Sequence, residues 1–180
     1  MQKARSKCKL SKGRCIRSAL LFTLLIIGFI VPERLTIPVA GAGKADWNHK
    51  SFWYSPWGIS GVHKGIDIFA AEGASVVSSV PGFVIYKGEL NLGGNVVCAL
   101  GPKWHIHYYA HLDKIDVRQW SFVRQGQRIG AVGTTGNAVR KPPHLHYAVV
   151  TPIPYVWRIG TGKQGWKKMF YLNPDELLRN

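Results

Sequence analysis

Short apolar runs, each closed by glycine, proline or asparagine, constrain the fold of this chain more than any other feature. From Gly61 onward they recur at a spacing of about ten residues, which is typical of strands joined by tight turns. The candidate strands lie at 76–77, 83–86, 96–100, 129–132 and 145–150. After the N-terminal part, only residues 174–179 indicate a helical turn, with Asn173 as its N-cap. The pattern predicts an all-β sandwich or barrel-like domain.

The first 42 residues differ in composition from the rest of the chain. Seven lysine and arginine residues precede an uncharged apolar run at 19–31, which is shorter than the roughly 20 residues of a membrane span. Such a run is typical of a secretory signal, and Ala40-Gly41-Ala42 offers a cleavage site. Pro32-Glu33-Arg34 instead favours an uncleaved signal anchor. Both alternatives stay open, and both predict that the following domain is exported while the basic segment remains in the cytoplasm.

The charge of the chain is strongly positive. Its net charge is +15, and the part from residue 43 onward still has 16 Lys and Arg against 8 Asp and Glu. This excess suits a polyanionic surface, although a basic face that only contacts solvent has the same composition. The sequence has neither a helix-turn-helix pattern nor the aromatic motif of an RNA-binding domain. We therefore expect no nucleic-acid partner.

The cysteines limit what holds the domain together. Cys8 and Cys15 lie in the basic leader, and Cys98 stands alone among apolar residues, where we expect a buried small hydrophobe. A domain with one cysteine has no internal disulfide, and a metal site in it cannot be built from thiolates.

The stretch His63-Lys64-Gly65-Ile66-Asp67 places a histidine and a carboxylate close together. Asp67 lies between Ile66 and Ile68, so on a strand the two isoleucines face one side and Asp67 faces the other. Gly65 allows the chain to bend so that His63 turns back towards Asp67. A carboxylate within an apolar strand is costly unless it is paired or bound to a metal. A surface loop with an Asp cap is the alternative.

A second stretch, His144-Leu145-His146, follows two prolines. On a strand, residues i and i+2 lie on one face, roughly 6.5–7 Å apart, which suits one metal ligand and one neighbour that faces the substrate. Two imidazoles and a carboxylate from the two stretches would form a three-ligand zinc site with one position left for water. A histidine pair with only a structural role is the alternative.

The run from Trp104 to Leu112 alternates almost strictly. The residues of one parity are His105, His107, Tyr109 and His111. This alternation predicts a solvent-exposed, histidine-lined face of a strand opposite an apolar face. We therefore expect His105 and His107 to be exposed on a strand, and His111 to be able to act on a substrate. His49 is expected to lie on a loop surface.

In combination, these stretches resemble the lysostaphin-type zinc endopeptidase family, which cuts peptide cross-bridges of bacterial peptidoglycan. The resemblance covers roughly residues 57–150. Its motifs, in order, are His63–Asp67, Gly93–Val97, Tyr109–Leu112, Val123–Gly130, Gly133–Gly136 and His144–His146. Two departures concern the groove: Trp57-Gly58-Ile59-Ser60 replaces the family's usual Gly-Tyr-Arg-like stretch, and Pro143 stands where a glycine is common.

The resemblance implies a set of residue roles. His63, Asp67 and His146 would bind one zinc ion per chain, and His111 and His144 would be the catalytic histidines beside it. The implied fold is a small two-sheet antiparallel β-structure with a groove over the zinc.

The implied organisation is a signal peptide or anchor at 1–42, an approach segment at 43–58, a peptidase domain at 59–155 and a C-terminal extension at 156–180. The extension resembles that of single-domain proteobacterial members, which favours the periplasm or the periplasmic face of the inner membrane, with anchoring through residues 19–31. The expected substrates are peptidoglycan peptide stems. The alternatives are a non-catalytic member that binds wall or activates another hydrolase, and a secreted bacteriolysin. The sequence does not determine the oligomeric state.

Overall fold

The structure is a computed structural model that describes residues 12–179. Helix α1 (Lys12–Ile30) comes first and helix α2 (Pro174–Arg179) comes last. Between them lie the strands β1 (Ile66–Phe69), β2 (Ser75–Val77), β3 (Gly82–Leu90), β4 (Gly94–Leu100), β5 (Ile106–Ile115), β6 (Phe122–Val123), β7 (Arg128–Val132), β8 (His144–Val150) and β9 (Tyr171–Leu172). The predicted all-β class is confirmed, with helices only at the two ends and short 3-10 turns in the connections. The basic residues at 1–11, with Cys8, lie outside the described part.

All the strand pairs are antiparallel. The main path through the sheet runs β1-β8-β5-β4-β3-β6, and β7 pairs with both β2 and the second half of β5. Strand β5 is therefore shared by two parts of the sheet. Strand β8 lies between β1 and β5, and this places His146 opposite Asp67 on one side and Ala110 on the other.

The core lies behind β1, β5 and β8. Ile66, Ile68, Tyr109, Leu145 and Tyr147 are fully buried and belong to one hydrophobic cluster. The alternation predicted around Asp67 is present, because both neighbouring isoleucines point into this cluster while the carboxylate points away from it. One face of these strands thus packs the core, and the other is left for polar groups.

The predicted exposure of His105 and His107 is wrong. His105 and His107 are buried, and both contact the side chain of Glu33. The Glu33 carboxylate, far back in the chain, gives each ring a hydrogen-bonding partner that offsets the cost of burying it. His49 is exposed, as expected, but its ring contacts the buried carboxylate of Asp175 in α2. Cys98 is only partly buried.

Helix α1 leads into the domain and contacts it. The indole of Trp104 donates to the carbonyl of Leu25 and packs against Gly28, where a side chain would collide with the ring. Within residues 12–179, no helix combines the length and the hydropathy that are needed to cross a bilayer.

Candidate metal centre

Three donor atoms from distant parts of the chain meet at one point. His146 Nδ1 lies 2.7 Å from Asp67 Oδ1, His63 Nε2 lies 3.0 Å from the same oxygen, and the two imidazole nitrogens are 3.1 Å apart. Strand pairing explains the first contact, since Asp67 and His146 are register partners on β1 and β8. The predicted metal ligands are therefore brought together, and no other group of three His, Cys, Asp or Glu within residues 12–179 is arranged in this way.

The loop before β1 positions His63. Its Nδ1 lies 3.1 Å from the carbonyl oxygen of Ser51, and its ring stacks on Trp57 at a centroid distance of 4.1 Å. A carbonyl oxygen only accepts hydrogen bonds, so Nδ1 carries a proton and Nε2 is the nitrogen left to face Asp67. Gly65 is needed because a Cβ there would collide with the carbonyl oxygen of Tyr147. The chain thus turns back as predicted and points Nε2 of His63 at Asp67.

The other two predicted histidines lie beside this triangle. The ring centre of His111 is 5.0 Å from that of His144 and 6.0 Å from that of His146. His111 Nδ1 donates to the carbonyl of Thr135 at 2.9 Å, and His144 Nδ1 donates to that of Pro142 at 2.7 Å. Each neutral ring therefore has Nε2 as an acceptor.

A local change of conformation brings His111 to this side of the sheet. Strict alternation would place it with His107 and Tyr109, which point into the core. Instead His111 has a φ of 65°, and the pairing of β5 with β4 shifts in register near it. Its N–H bonds to the carbonyl of Gly93 in the turn before β4. A left-handed residue in a strand acts like a bulge and redirects the side chain.

The electrostatics of the triangle favour an ionised carboxylate. Burial by itself would raise the pKa of Asp67, but hydrogen bonds from His146 and His63 hold that pKa well below its usual range. Burial lowers the pKa of His146, and burial together with the charges of His146 and His144 lowers the pKa of His111 to about 4. The lowered pKa values thus favour an ionised Asp67 and a neutral His146, and metal binding requires a carboxylate and an imidazole in these states.

The donor set fits a zinc ion. Zinc with nitrogen and oxygen ligands at about 2.0–2.1 Å in a tetrahedron separates its ligand atoms by roughly 3.3 Å, close to the distances of 2.7 to 3.1 Å within this triangle. Two imidazoles and one carboxylate make a set of three, as in catalytic zinc sites that keep one position open. Side-chain exposures of 14% for Asp67 and 17% for His146 leave that position accessible from one side.

The triangle opens onto a groove of about 710 Å³. Its walls are mainly aromatic and apolar, with Trp57, Phe69, Tyr108 and Tyr171 among the larger side chains. Asp67 is the only acidic residue among the described groove residues, which include Lys64 and Lys141.

Several groove residues were not among those predicted from the sequence. Alternation along the run 104–112 places Tyr108 on the face opposite the histidines, yet its ring lies edge-on to that of His146, with the ring centres 6.2 Å apart. The sequence did contain an indication of this position, because Tyr108 has the same parity as Ala110, which is the register partner of His146. The stacking of Trp57 on His63 had no such signal, since it depends on the loop path.

The sequence of this β-domain also matches a known family. Residues 61–155 match the profile of peptidase family M23. The chain belongs to this family. Its resemblance to lysostaphin-type peptidases is thus confirmed.

Two relatives show the range of names within family M23. The chain is 35% identical over 115 residues to the L-Ala--D-Glu endopeptidase of Bacillus subtilis, a match covering 59% of this chain and 35% of that protein. It is 31% identical over 103 residues to the murein hydrolase activator NlpD of Escherichia coli, a match covering 53% of this chain and 26% of that protein. The M23 chain thus spans about a third or less of the length of these curated relatives.

Solved structures confirm the M23 fold. The catalytic domain of lysostaphin from Staphylococcus simulans superposes with a TM-score of 0.59 at 26% identity, covering 72% of this chain and 90% of that domain. A zinc-containing peptidase from Vibrio cholerae gives a TM-score of 0.51 at 29% identity, covering 65% of this chain and 37% of that chain.

Proposed function

We propose that this protein is a zinc-dependent endopeptidase that hydrolyses peptide cross-links of bacterial peptidoglycan in cell wall remodelling. The observation that carries the proposal is the triangle of donor atoms from His63, Asp67 and His146, which opens on a groove beside two further histidines. Endopeptidase relatives in the same family support the substrate class.

The metal would be held by the triangle. One zinc ion per chain, bound by His63, Asp67 and His146, would supply a Lewis acid and lower the pKa of a water molecule to about 7. Trp57 and the carbonyl of Ser51 keep the ring of His63 in place. Such contacts behind a metal ligand commonly set its affinity.

Proton transfer would fall to His111 and His144. Their Nδ1 atoms donate to fixed carbonyls, so their Nε2 atoms are free to accept a proton from the attacking water. The same proton would then pass to the leaving amine nitrogen. The ring centres are 5.0 Å apart, so one peptide group can contact both. General acid–base assistance of this kind is typically worth 10²–10⁴-fold in rate.

Site composition favours an enzyme over its main alternative, a non-catalytic member that activates another hydrolase, as the name of the Escherichia coli relative indicates for that protein. An activator needs neither an open metal position nor paired acceptor nitrogens. Here all five candidate residues converge on one groove. We further propose that the domain acts outside the cytoplasm, in the periplasm or at the inner membrane, where residues 19–31 would anchor it.

Purified sacculi provide the deciding experiment. The full chain, with zinc, is expected to release muropeptides that mass spectrometry identifies as products of peptide-bond cleavage. A chelator should stop the release and added zinc should restore it. Release that occurs only when a second hydrolase is added would contradict the proposal and support the activator.

A further inference from the structure

A segment that the sequence assigns to the leader is built into the β-domain. Residues 33–42 run along the edge of β2 opposite β7, with an isolated bridge between Val39 and Val76. Backbone hydrogen bonds join them on both sides of this bridge: Ala40 donates to Ser75 at 2.9 Å and Val77 donates to Pro38 at 2.9 Å. The segment thus covers a strand edge that would otherwise be open.

The contacts continue towards the start of the segment. Thr36 donates to the carbonyl of Ser79 at 3.0 Å, and the hydroxyl of Ser79 donates back to the carbonyl of Thr36 at 2.6 Å. Val39 is 1% exposed and belongs to the main hydrophobic cluster. Leu35, Ile37 and Ala42 pack against the same cluster. These residues therefore fill part of the core.

Glu33 makes the most specific of these contacts. Its side chain is 2% exposed, with one oxygen 2.7 Å from His105 Nδ1 and the other 3.1 Å from His107 Nε2. Behind them, the hydroxyl of Tyr155 lies 3.1 Å from His105 Nε2 and that of Tyr147 lies 2.7 Å from His107 Nδ1. Each ring thus has a tyrosine hydroxyl at one nitrogen and the carboxylate at the other, so every polar atom in this buried group has a partner.

Removal of the segment would damage the domain in three ways. His105 and His107 would each keep a buried N–H without an acceptor, which is costly. The core would have a cavity in place of Val39. The edge of β2 would lose its partner strand. A chain cut after Ala42 would lack all three of these contributions to its stability.

We propose that residues 33–42 are retained in the mature protein as an edge strand of the peptidase domain, and that the chain is not cut at Ala40-Gly41-Ala42. The structural boundary of the domain then lies near Glu33 rather than after residue 42. The proposal concerns the covalent state of the protein and does not depend on its activity.

The mature N-terminus tests the proposal directly. The full chain with a C-terminal tag would be expressed in a bacterium that exports it, purified from membrane and soluble fractions, and analysed by intact mass and N-terminal sequencing. We expect a mature chain that begins at or before Glu33. We also expect the double variant Ala40→Gln, Ala42→Gln, which removes the small residues that a signal peptidase needs, to begin at the same residue. A chain that begins after Glu33 would overturn the proposal.

Thermal unfolding of the full chain gives a second test with a matched control. Glu33→Gln places an amide N–H₂ against one of two buried imidazole donors, and we expect its Tm to fall by roughly 2–8 °C. Arg34→Gln changes an exposed neighbour whose backbone carbonyl alone contacts Gln125, and we expect its Tm to stay within about 1 °C of the parent. Equal Tm values for the two variants would overturn the part of the proposal that makes residues 33–42 an edge strand held to the domain through Glu33.

Discussion

Asp67 Oδ1 lies 2.7 Å from Nδ1 of its register partner His146, on the neighbouring strand. His63 Nε2 lies 3.0 Å from the same oxygen, although it comes from a loop. One carboxylate oxygen thus holds together donors that are far apart in the sequence. The residues whose donor atoms meet at this oxygen would bind the metal, whereas His111 and His144 would act beside it.

Zinc content and catalytic rate should therefore respond differently in two histidine variants. His146→Ala is expected to lose stoichiometric zinc, because it removes one of three ligands. His144→Ala is expected to keep zinc and to lose about 10²-fold or more in rate, because its Nε2 is an acid–base group and not a ligand. Metal analysis by mass spectrometry and muropeptide release from sacculi check the two results.

The control for this pair is His49→Ala, which removes an exposed histidine outside the groove. It should keep both zinc and activity. Retention of full zinc by His146→Ala would contradict the ligand assignment, and loss of zinc from His144→Ala would contradict the division of roles.

A substitution at Gly65 should disturb the same site through the backbone. The Cβ in Gly65→Ala would meet the carbonyl oxygen of Tyr147 and the ring of His146. We expect a loss of about 1–3 kcal/mol in the free energy of unfolding and weaker zinc binding. Gly43→Ala is the control, since no atom lies within 4 Å of a Cβ there. Chemical denaturation and zinc titration of both variants measure the difference, and equal behaviour would refute the steric argument.

The charge of the groove predicts a preference for acidic peptides. Lys64 and Lys141 line it, and the only carboxylate among its described residues, Asp67, is engaged by histidines. Lys141→Met should raise KM by about two- to tenfold for a peptide that carries a carboxylate near the cleaved bond, with little change in kcat. The comparison is kinetics on that peptide and on its amidated form, at low and high salt.

Lys87→Met is the matched control for this charge effect, because Lys87 is exposed on β3 and does not line the groove. Its KM should equal that of the parent for both peptides. An equal KM for the acidic and amidated peptides in the parent protein would argue against any role of the two lysines in selection.

Acid should destabilise the fold through Glu33. Burial alone would raise the pKa of Glu33, but hydrogen bonds from His105 and His107 lower it to about 2, from 4.5. A pKa that is lower in the folded state gives stability that is complete above pH 4.5 and is lost as the pH falls towards 2. The loss should be about 3 kcal/mol. Burial also lowers the pKa of His107, so its contribution begins to fall below pH 6.5, in the same direction.

Urea unfolding at several pH values from about 7 down to about 2, which includes the folded and unfolded pKa values of Glu33, measures this effect. The free energy of unfolding of the parent should fall more steeply with acid than that of Glu33→Gln, which has no carboxylate to titrate. Parallel curves for the two proteins would contradict the lowered pKa of Glu33.

The strands and the two stretches that contain the metal ligands could be predicted from the sequence because both depend on local patterns. The alternation around Asp67 gave the correct face for Ile66 and Ile68, and the spacing of His144 and His146 gave two groups on one side of β8. The same reasoning failed for β5. Alternation predicts that His111 lies on the same face of the strand as His107, but the left-handed conformation at His111 turns its side chain to the other face. The position of a bulge depends on how a strand pairs with its neighbour, and the alternation of residues within one strand gives no information about that pairing.

Long-range polar contacts were the other failure. The partner of His105 and His107 is Glu33, which composition assigned to the leader. In the same way Asp175, in the short C-terminal helix, accepts from the indole of Trp47 at 2.9 Å in the approach segment. Pairs like these become visible only when the fold brings the two ends of the chain together.

The pairing of β1 with β8 also makes zinc a reporter of correct folding. A slip of one residue between these strands would send Asp67 or His146 to the opposite side of the sheet, and the donor set would no longer exist. A chain that collapsed with the wrong strand alignment could therefore keep its β content and still bind no ion. The fraction of zinc in a preparation would count the molecules whose strands are aligned as described.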